Sequence, residues 1–145
     1  MNSEHVQGRE ASGESAGRVS PRAIVAGHAD FAAGLISAVE QITGRGGQLV
    51  PVVVQGLGLT DIEDLLRIRM AEGNISVIFT DLQAGSCTMA ARRLLRGYTD
   101  AVLVAGASLP MLLDFVFSDG TNPAGAARHA AERGRAAVSV HGAGE

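Results

Sequence analysis

Ile75-Ser76-Val77-Ile78-Phe79-Thr80-Asp81-Leu82-Gln83-Ala84-Gly85-Ser86-Cys87-Thr88 decides the fold. A mostly apolar run ends on a carboxylate, and a short Gly-Ser loop then feeds a helical pattern that reaches about Arg96. Buried parallel strands read as near-continuous apolar runs, not as alternation. Upstream, Ala23-Ile24-Val25-Ala26 ends in a similar way, on Gly27-His28-Ala29. If both runs are parallel strands, their carboxyl ends share one rim of a sheet, where open α/β sheets place their ligand sites. A histidine, a carboxylate and a helix entrance then meet in one crevice.

Outward from these two runs, strand-like and helix-like segments alternate. Ala32, Leu35, Ile36, Val39 and Ile42 recur at helical steps, and Gly44 stands where a C-cap glycine belongs. Leu49–Val54 is a second apolar run, and Pro51 within it predicts an edge strand, because proline cannot donate to a ladder. Thr60 and Glu63 have capping-box spacing ahead of Ile62, Leu65, Leu66, Ile68 and Met70. Ala101–Ala105 reads as the fourth strand. Ser108-Leu109-Pro110 reads as a helix start, opening a segment to Phe117 so apolar that it should be buried or lie at a subunit interface. A helix from Pro123 to about Arg133 follows, and Ala136–Val140 is a last short strand candidate. The predicted class is α/β: a three-layer sandwich on a four-stranded parallel sheet, with right-handed crossovers.

The 145 residues suit about one domain, with enough chain to bury a core unaided by disulfides or metal. Residues 1–21 hold almost no large apolar side chain and read as a disordered leader before a single domain spanning 22–145. They lack the apolar segment of a secretory signal, and no run approaches a membrane span, so the protein is expected in the cytoplasm. Every cationic side chain is arginine, the formal charge is −3, and aromatic residues make up 3%, which leaves little to bind or stack on nucleic acid. The single cysteine, Cys87, excludes an internal disulfide and any cysteine-based zinc cluster. No cofactor and no metal is expected.

The rim constellation suits a histidine that carries a phosphoryl group. An attacking imidazole must be neutral, as an ordinary one mostly is near neutral pH. Asp81 can accept a hydrogen bond from one ring nitrogen of His28 and so fix tautomer and orientation. The arriving phosphate brings about two negative charges, and the helix entrance at Gly85, Ser86 and Cys87 can offer backbone N–H groups to it.

Gly27-His28-Ala29-Asp30-Phe31-Ala32-Ala33-Gly34-Leu35, Asp81-Leu82-x-x-Gly85-Ser86 and Ser108-Leu109-Pro110-Met111-Leu112 come in the order and spacing that resemble the IIA domain of mannose-family sugar phosphotransferase systems (PTS). The resemblance covers about Arg22 to Arg135. It implies that His28 takes phosphate from the phosphocarrier HPr and passes it to a IIB partner, which serves a membrane component (IIC/IID). It implies that Asp81 pairs with His28, that Ser86 lies beside the phosphate, and that the protein is a homodimer exchanging a C-terminal strand, with Ala136–Val140 in that role. The family often has Gly-His-Gly where this chain has Ala29 after the histidine, and Gly-Gly-Ser-Pro where this chain has Ala84-Gly85-Ser86-Cys87. Ala84 therefore requires a backbone conformation open to L-residues.

Blander roles stand beside these. Asp81 could cap its loop, Ser86 could be only an N-cap, and Cys87 could be a small core residue. Arg92, Arg93 and Arg96 read as a solvated helix face. Two other functions use the same crevice: a small hydrolase or thiol enzyme built on Ser86 or Cys87 with His28 and Asp81, and an anion-binding regulatory module without chemistry. The first lacks the Gly-x-Ser-x-Gly elbow, and the second lacks a Gly-x-Gly-x-x-Gly fingerprint.

Overall fold

The computed structural model describes residues 20–144. The expected leader, 1–21, lies almost wholly outside the described residues.

Four parallel strands form one sheet: β1 (Ala23–Gly27), β2 (Leu49–Val53), β3 (Val77–Thr80) and β4 (Val102–Ala105), in the spatial order β2-β1-β3-β4. Five helices connect and flank them: α1 (Phe31–Thr43), α2 (Leu59–Gly73), α3 (Ser86–Leu95), α4 (Leu109–Phe117) and α5 (Pro123–Ala136). The two inner strands are buried along their whole length, which is why their sequences run apolar without alternation. Pro51 sits on β2 at the sheet edge, where a missing N–H costs no ladder bond.

Successive side chains of each strand alternate between two cores. Val25, Phe79 and Val104 pack with α1, α4 and α5, and Phe79 meets Phe115 edge-on with ring centroids 5.1 Å apart. Ile24, Ile78 and Val52 pack with Ile62 and Leu66 of α2 and with Cys87 and Ala90 of α3. The result is the three-layer α/β/α sandwich that the alternation predicts. The apolar α4 buries Met111, Leu112, Phe115 and Val116 and leaves Phe117 exposed. Its C-terminal carbonyls are taken up by Arg22, which donates to Phe115 O and Ser118 O and lies 4.6 Å from the Phe115 ring centroid.

One local expectation is overturned, the capping box, and two others are qualified. Ala136–Val140 is not a strand in the single chain. Arg133 and Arg135 favour the negative end of α5, Ala136 continues it, and residues 138–140 join none of the four strands among the described residues. Thr60 and Glu63 form no capping box, because extended Gly58 occupies the N-cap and the Glu63 carboxylate turns to Arg67 and Arg93 instead. Ser108 does stand at the N-cap of α4, but its hydroxyl makes no capping bond and is buried without a partner. Gly44, by contrast, closes α1 with φ 73° as expected of a C-cap glycine.

The chain leaves β1 toward β2 on one side and later returns to β3 on the other. The carboxyl ends of β1 and β3 therefore flank the point where strand order reverses, the place where such sheets form a crevice. No helix among the described residues is long and apolar enough to cross a membrane.

Candidate functional site

His28 follows β1 and Asp81 follows β3, and the pairing of Ala26 with Thr80 brings their two loops side by side. One carboxylate oxygen, Asp81 Oδ2, accepts two hydrogen bonds from His28: the backbone N–H at 2.8 Å and ring Nδ1 at 2.7 Å. A carboxylate only accepts, so Nδ1 carries the proton and Nε2 is left with the lone pair. The imidazole side chain is 58% exposed, while that of Asp81 is 9% exposed. Burial by itself raises the Asp81 carboxyl, but the backbone and ring donors of His28 and the ring's charge outweigh it. The net shift is downward, so the group stays ionised.

Gly27 makes this approach feasible. A Cβ there would lie 2.7 Å from Phe31 Cδ2 and 2.9 Å from both Cγ and Oδ2 of Asp81. Strand, carboxylate and the first residue of α1 thus pack where only a hydrogen fits. Its signal in the sequence is a glycine ending an apolar strand immediately before the histidine. Ala29, on the other side, takes φ 47°, a left-handed conformation that an L-residue pays for.

The second half of the site is the entrance of α3. Gly85 is its extended N-cap, and Met89 N–H is the first to close back, onto Gly85 O at 2.9 Å. The N–H groups of Ser86, Cys87 and Thr88 are therefore the first-turn donors without intrahelical acceptors. Gly85 lies against the ring: a Cβ there would sit 3.5 Å from His28 Cε1, the carbon between the two ring nitrogens. Ala84 avoids the left-handed region, as an alanine at that point requires. Cys87 is fully buried, and burial pushes its thiol up to about 11, so the thiol is not poised as a nucleophile. No hydrogen bond links Ser86 Oγ to His28 among the described residues.

One feature had no signal in the sequence. Thr80 and Thr88, both buried, share a 2.6 Å hydroxyl contact, and Thr88 Oγ1 also donates to Leu82 O. Since a carbonyl only accepts, Thr80 is the donor in their shared bond. Together they tie the last residue of β3, the Asp81 loop and the first turn of α3.

Five concavities of the described surface are lined by other residues, and none of these includes His28, Asp81 or Ser86. The ring stands on an open rim, which suits a macromolecular partner better than an enclosed small substrate. The described residues hold no group of three or more His, Cys, Asp or Glu side chains fit for a metal ion. His129 pairs with Asp114 at 2.8 Å on α5 and α4, away from this rim.

A family model described as "PTS system fructose IIA component" matches residues 22–132. No curated protein gives a significant sequence match. Among solved structures, the chain is similar to a mannose/sorbose specific IIA subunit of the phosphotransferase system from Enterococcus faecalis. That match has TM-score 0.72 at 22% identity, covering 88% of this chain and 98% of the other. It is also similar to a phosphotransferase system component EIIA from Streptococcus agalactiae, with TM-score 0.67, 22% identity and coverage of 81% and 95%. A IIA protein associated with the fucose utilization operon of Streptococcus pneumoniae gives TM-score 0.63 at 19% identity, covering 78% and 90%. At these identities the structural likeness speaks for the fold, and the family model speaks for the family.

Proposed function

The chain belongs to the family of PTS fructose IIA components, and from that premise we propose that it is a phosphohistidine carrier whose His28 accepts a phosphoryl group from phospho-HPr and hands it to a IIB component. The observation that carries this reading is the exposed imidazole whose Nδ1 is held 2.7 Å from Asp81 Oδ2. That contact holds the lone pair on the other ring nitrogen, Nε2.

In the transfer, the Nε2 lone pair attacks phosphorus while the nitrogen–phosphorus bond of the donor breaks. Nδ1 keeps its proton, so the phosphorylated ring is cationic and the Asp81 carboxylate offsets that charge. The same step runs in reverse on the IIB acceptor. The phosphoryl oxygens meet the N–H groups at the entrance of α3, from the N-cap Gly85 to Ser86 and Cys87 in the first turn, with Ser86 Oγ at hand as a further donor. Ionised Asp81 and the helix entrance act on opposite sides of the reacting atom, one on the ring and one on the phosphate.

On this reading residues 22–145 are one carrier domain working in the cytoplasm, and the membrane component selects the sugar. The reading includes a homodimer that exchanges its C-terminal segment. Supporting that part, Val138 and Val140 are 77% and 86% exposed, and a groove of about 510 Å³ runs beside β4, whose outer edge has no partner strand among the described residues. The solution mass of the full chain and of a chain ending at Ala137 tests it: dimer for the first and monomer for the second. A monomeric full chain overturns it. The thiol-enzyme alternative is disfavoured by the buried, weakly acidic Cys87.

The deciding experiment passes labelled phosphate from phosphoenolpyruvate through enzyme I and HPr to the protein and to His28→Ala. The expected result is acid-labile, alkali-stable label on the wild type and none on a folded His28→Ala. Label on the variant, or none on the wild type while HPr is fully charged, overturns the reading.

A further inference from the structure

Asp81 has an anchoring problem. Oδ2 takes both bonds from His28, while Oδ1 is buried with no hydrogen-bond partner. With only Oδ2 bonded to His28, the aim of the carboxylate depends on the backbone from which it hangs as well as on its packing against Gly27. The Asp81 backbone belongs to a short loop, Asp81 to Gly85, between the end of β3 and the start of α3. The N-terminal end of that loop is fixed by the sheet, since Gly106 N–H and Ala107 N–H both donate to Thr80 O. One residue further on, the Leu82–Gln83 peptide is held, among the described residues, by the Thr88 hydroxyl, which donates to Leu82 O and accepts from Thr80 Oγ1.

We infer that Thr88 is the positioning residue of the His28–Asp81 pair. Its buried hydroxyl clamps the carbonyl of Leu82, next in the chain to Asp81, and Thr88 itself stands in the first turn of α3, the helix whose N-cap Gly85 lies against the ring. The aim of the carboxylate and the location of the anion donors are thereby one rigid unit. Thr80 has a supporting part, because it only orients the Thr88 hydroxyl and leaves the Leu82 bond in place when removed. The inference deepens the phosphocarrier reading and rests on it for its kinetic arm alone.

The test compares Thr88→Val, which keeps shape and loses the hydroxyl, with Thr88→Ser, Thr88→Cys and Thr80→Val. The first readout is the His28 tautomer in the unphosphorylated protein, by nitrogen-15 NMR above the ring's titration. Thr88→Val is expected to shift His28 from the Nδ1–H form toward a mixture with Nε2–H, while Thr88→Ser and Thr80→Val retain the wild-type form. The second readout is single-turnover labelling by phospho-HPr. Its rate is expected to fall about 10- to 100-fold in Thr88→Val with an unchanged half-saturating donor concentration, as a small misplacement of a catalytic group does. A folded Thr88→Val with wild-type tautomer and rate overturns the inference, as does a Thr88→Ser impaired to the same degree. Should Thr88→Val fail to fold, Thr88→Cys decides: its weaker donor must give a partial tautomer shift, and an unchanged tautomer overturns the inference. If the wild type takes no phosphate, the carrier reading fails while the tautomer arm still judges Thr88.

Discussion

Replacing Ala29 with glycine should make the protein more stable, although glycine usually does the opposite. Ala29 is exposed and holds φ 47°. A non-glycine residue in the left-handed region gives up roughly 1–2 kcal/mol to the clash of its Cβ. Glycine removes that clash and adds freedom to the unfolded chain, which costs about 0.5–1 kcal/mol. The difference favours glycine by about 0.5–1 kcal/mol, and no buried methyl is lost to offset it. With a urea slope of roughly 1–3 kcal/mol per molar, the unfolding midpoint should rise by roughly 0.2–1 M. Two internal controls bracket the effect. Asn74→Gly, at φ 52°, should gain less because asparagine tolerates this region, and Gly44→Ala, at φ 73°, should lose stability. An Ala29→Gly midpoint equal to or below the wild type, with Gly44→Ala behaving as stated, would refute the strain argument.

Other outcomes follow from the same geometry. Gly27→Ala should destabilise by about 1–3 kcal/mol through overpacking against Phe31 and Asp81, and NMR should report loss of the His28 Nδ1 hydrogen bond. Asp81→Asn should slow phosphoryl transfer by about 10²- to 10⁴-fold in a rapid-quench assay, and unchanged kinetics would remove Asp81 from the mechanism. The folded Asp81 carboxyl is shifted below its ordinary value. Its stabilisation is therefore complete above that ordinary value and drains away as pH falls through the lower folded one. Acid unfolding of Asp81→Asn should be less steep over this range. Cys87, buried with its thiol near 11, should react with a thiol reagent only at the rate of unfolding. Rapid modification of the native protein would contradict that placement.

The His28–Asp81 encounter was legible because apolar runs name the inner strands, and parallel topology sends their ends to one rim. Pro51 was equally legible, because its missing donor has few tolerable positions in a sheet. Ala136–Val140 pairs with nothing in the single chain, because whether alternating valines form a strand depends on a neighbour that local sequence does not contain. Glu63 misled because its spacing from Thr60 is local, whereas Arg93, which draws its carboxylate, comes from another helix. The Thr80–Thr88 contact left no trace, since two threonines eight positions apart meet only after the intervening loop takes its path. Gly27 carried a visible cue, yet its reason, the closeness of the Asp81 carboxylate, exists only in three dimensions.

The register of the two inner strands has a consequence for biosynthesis. Ala26 lies opposite Thr80, so the histidine and its carboxylate meet across 53 positions of chain. A slip of one residue displaces one loop by about 3.3 Å, more than the contact survives. While the ribosome has delivered only β1, α1 and β2, the nascent chain already displays its histidine with nothing to orient it. The orientation that the proposed carrier role requires of His28 arrives only when β3 docks beside β1, so the imidazole tautomer reports whether the centre of the sheet was assembled in the right alignment.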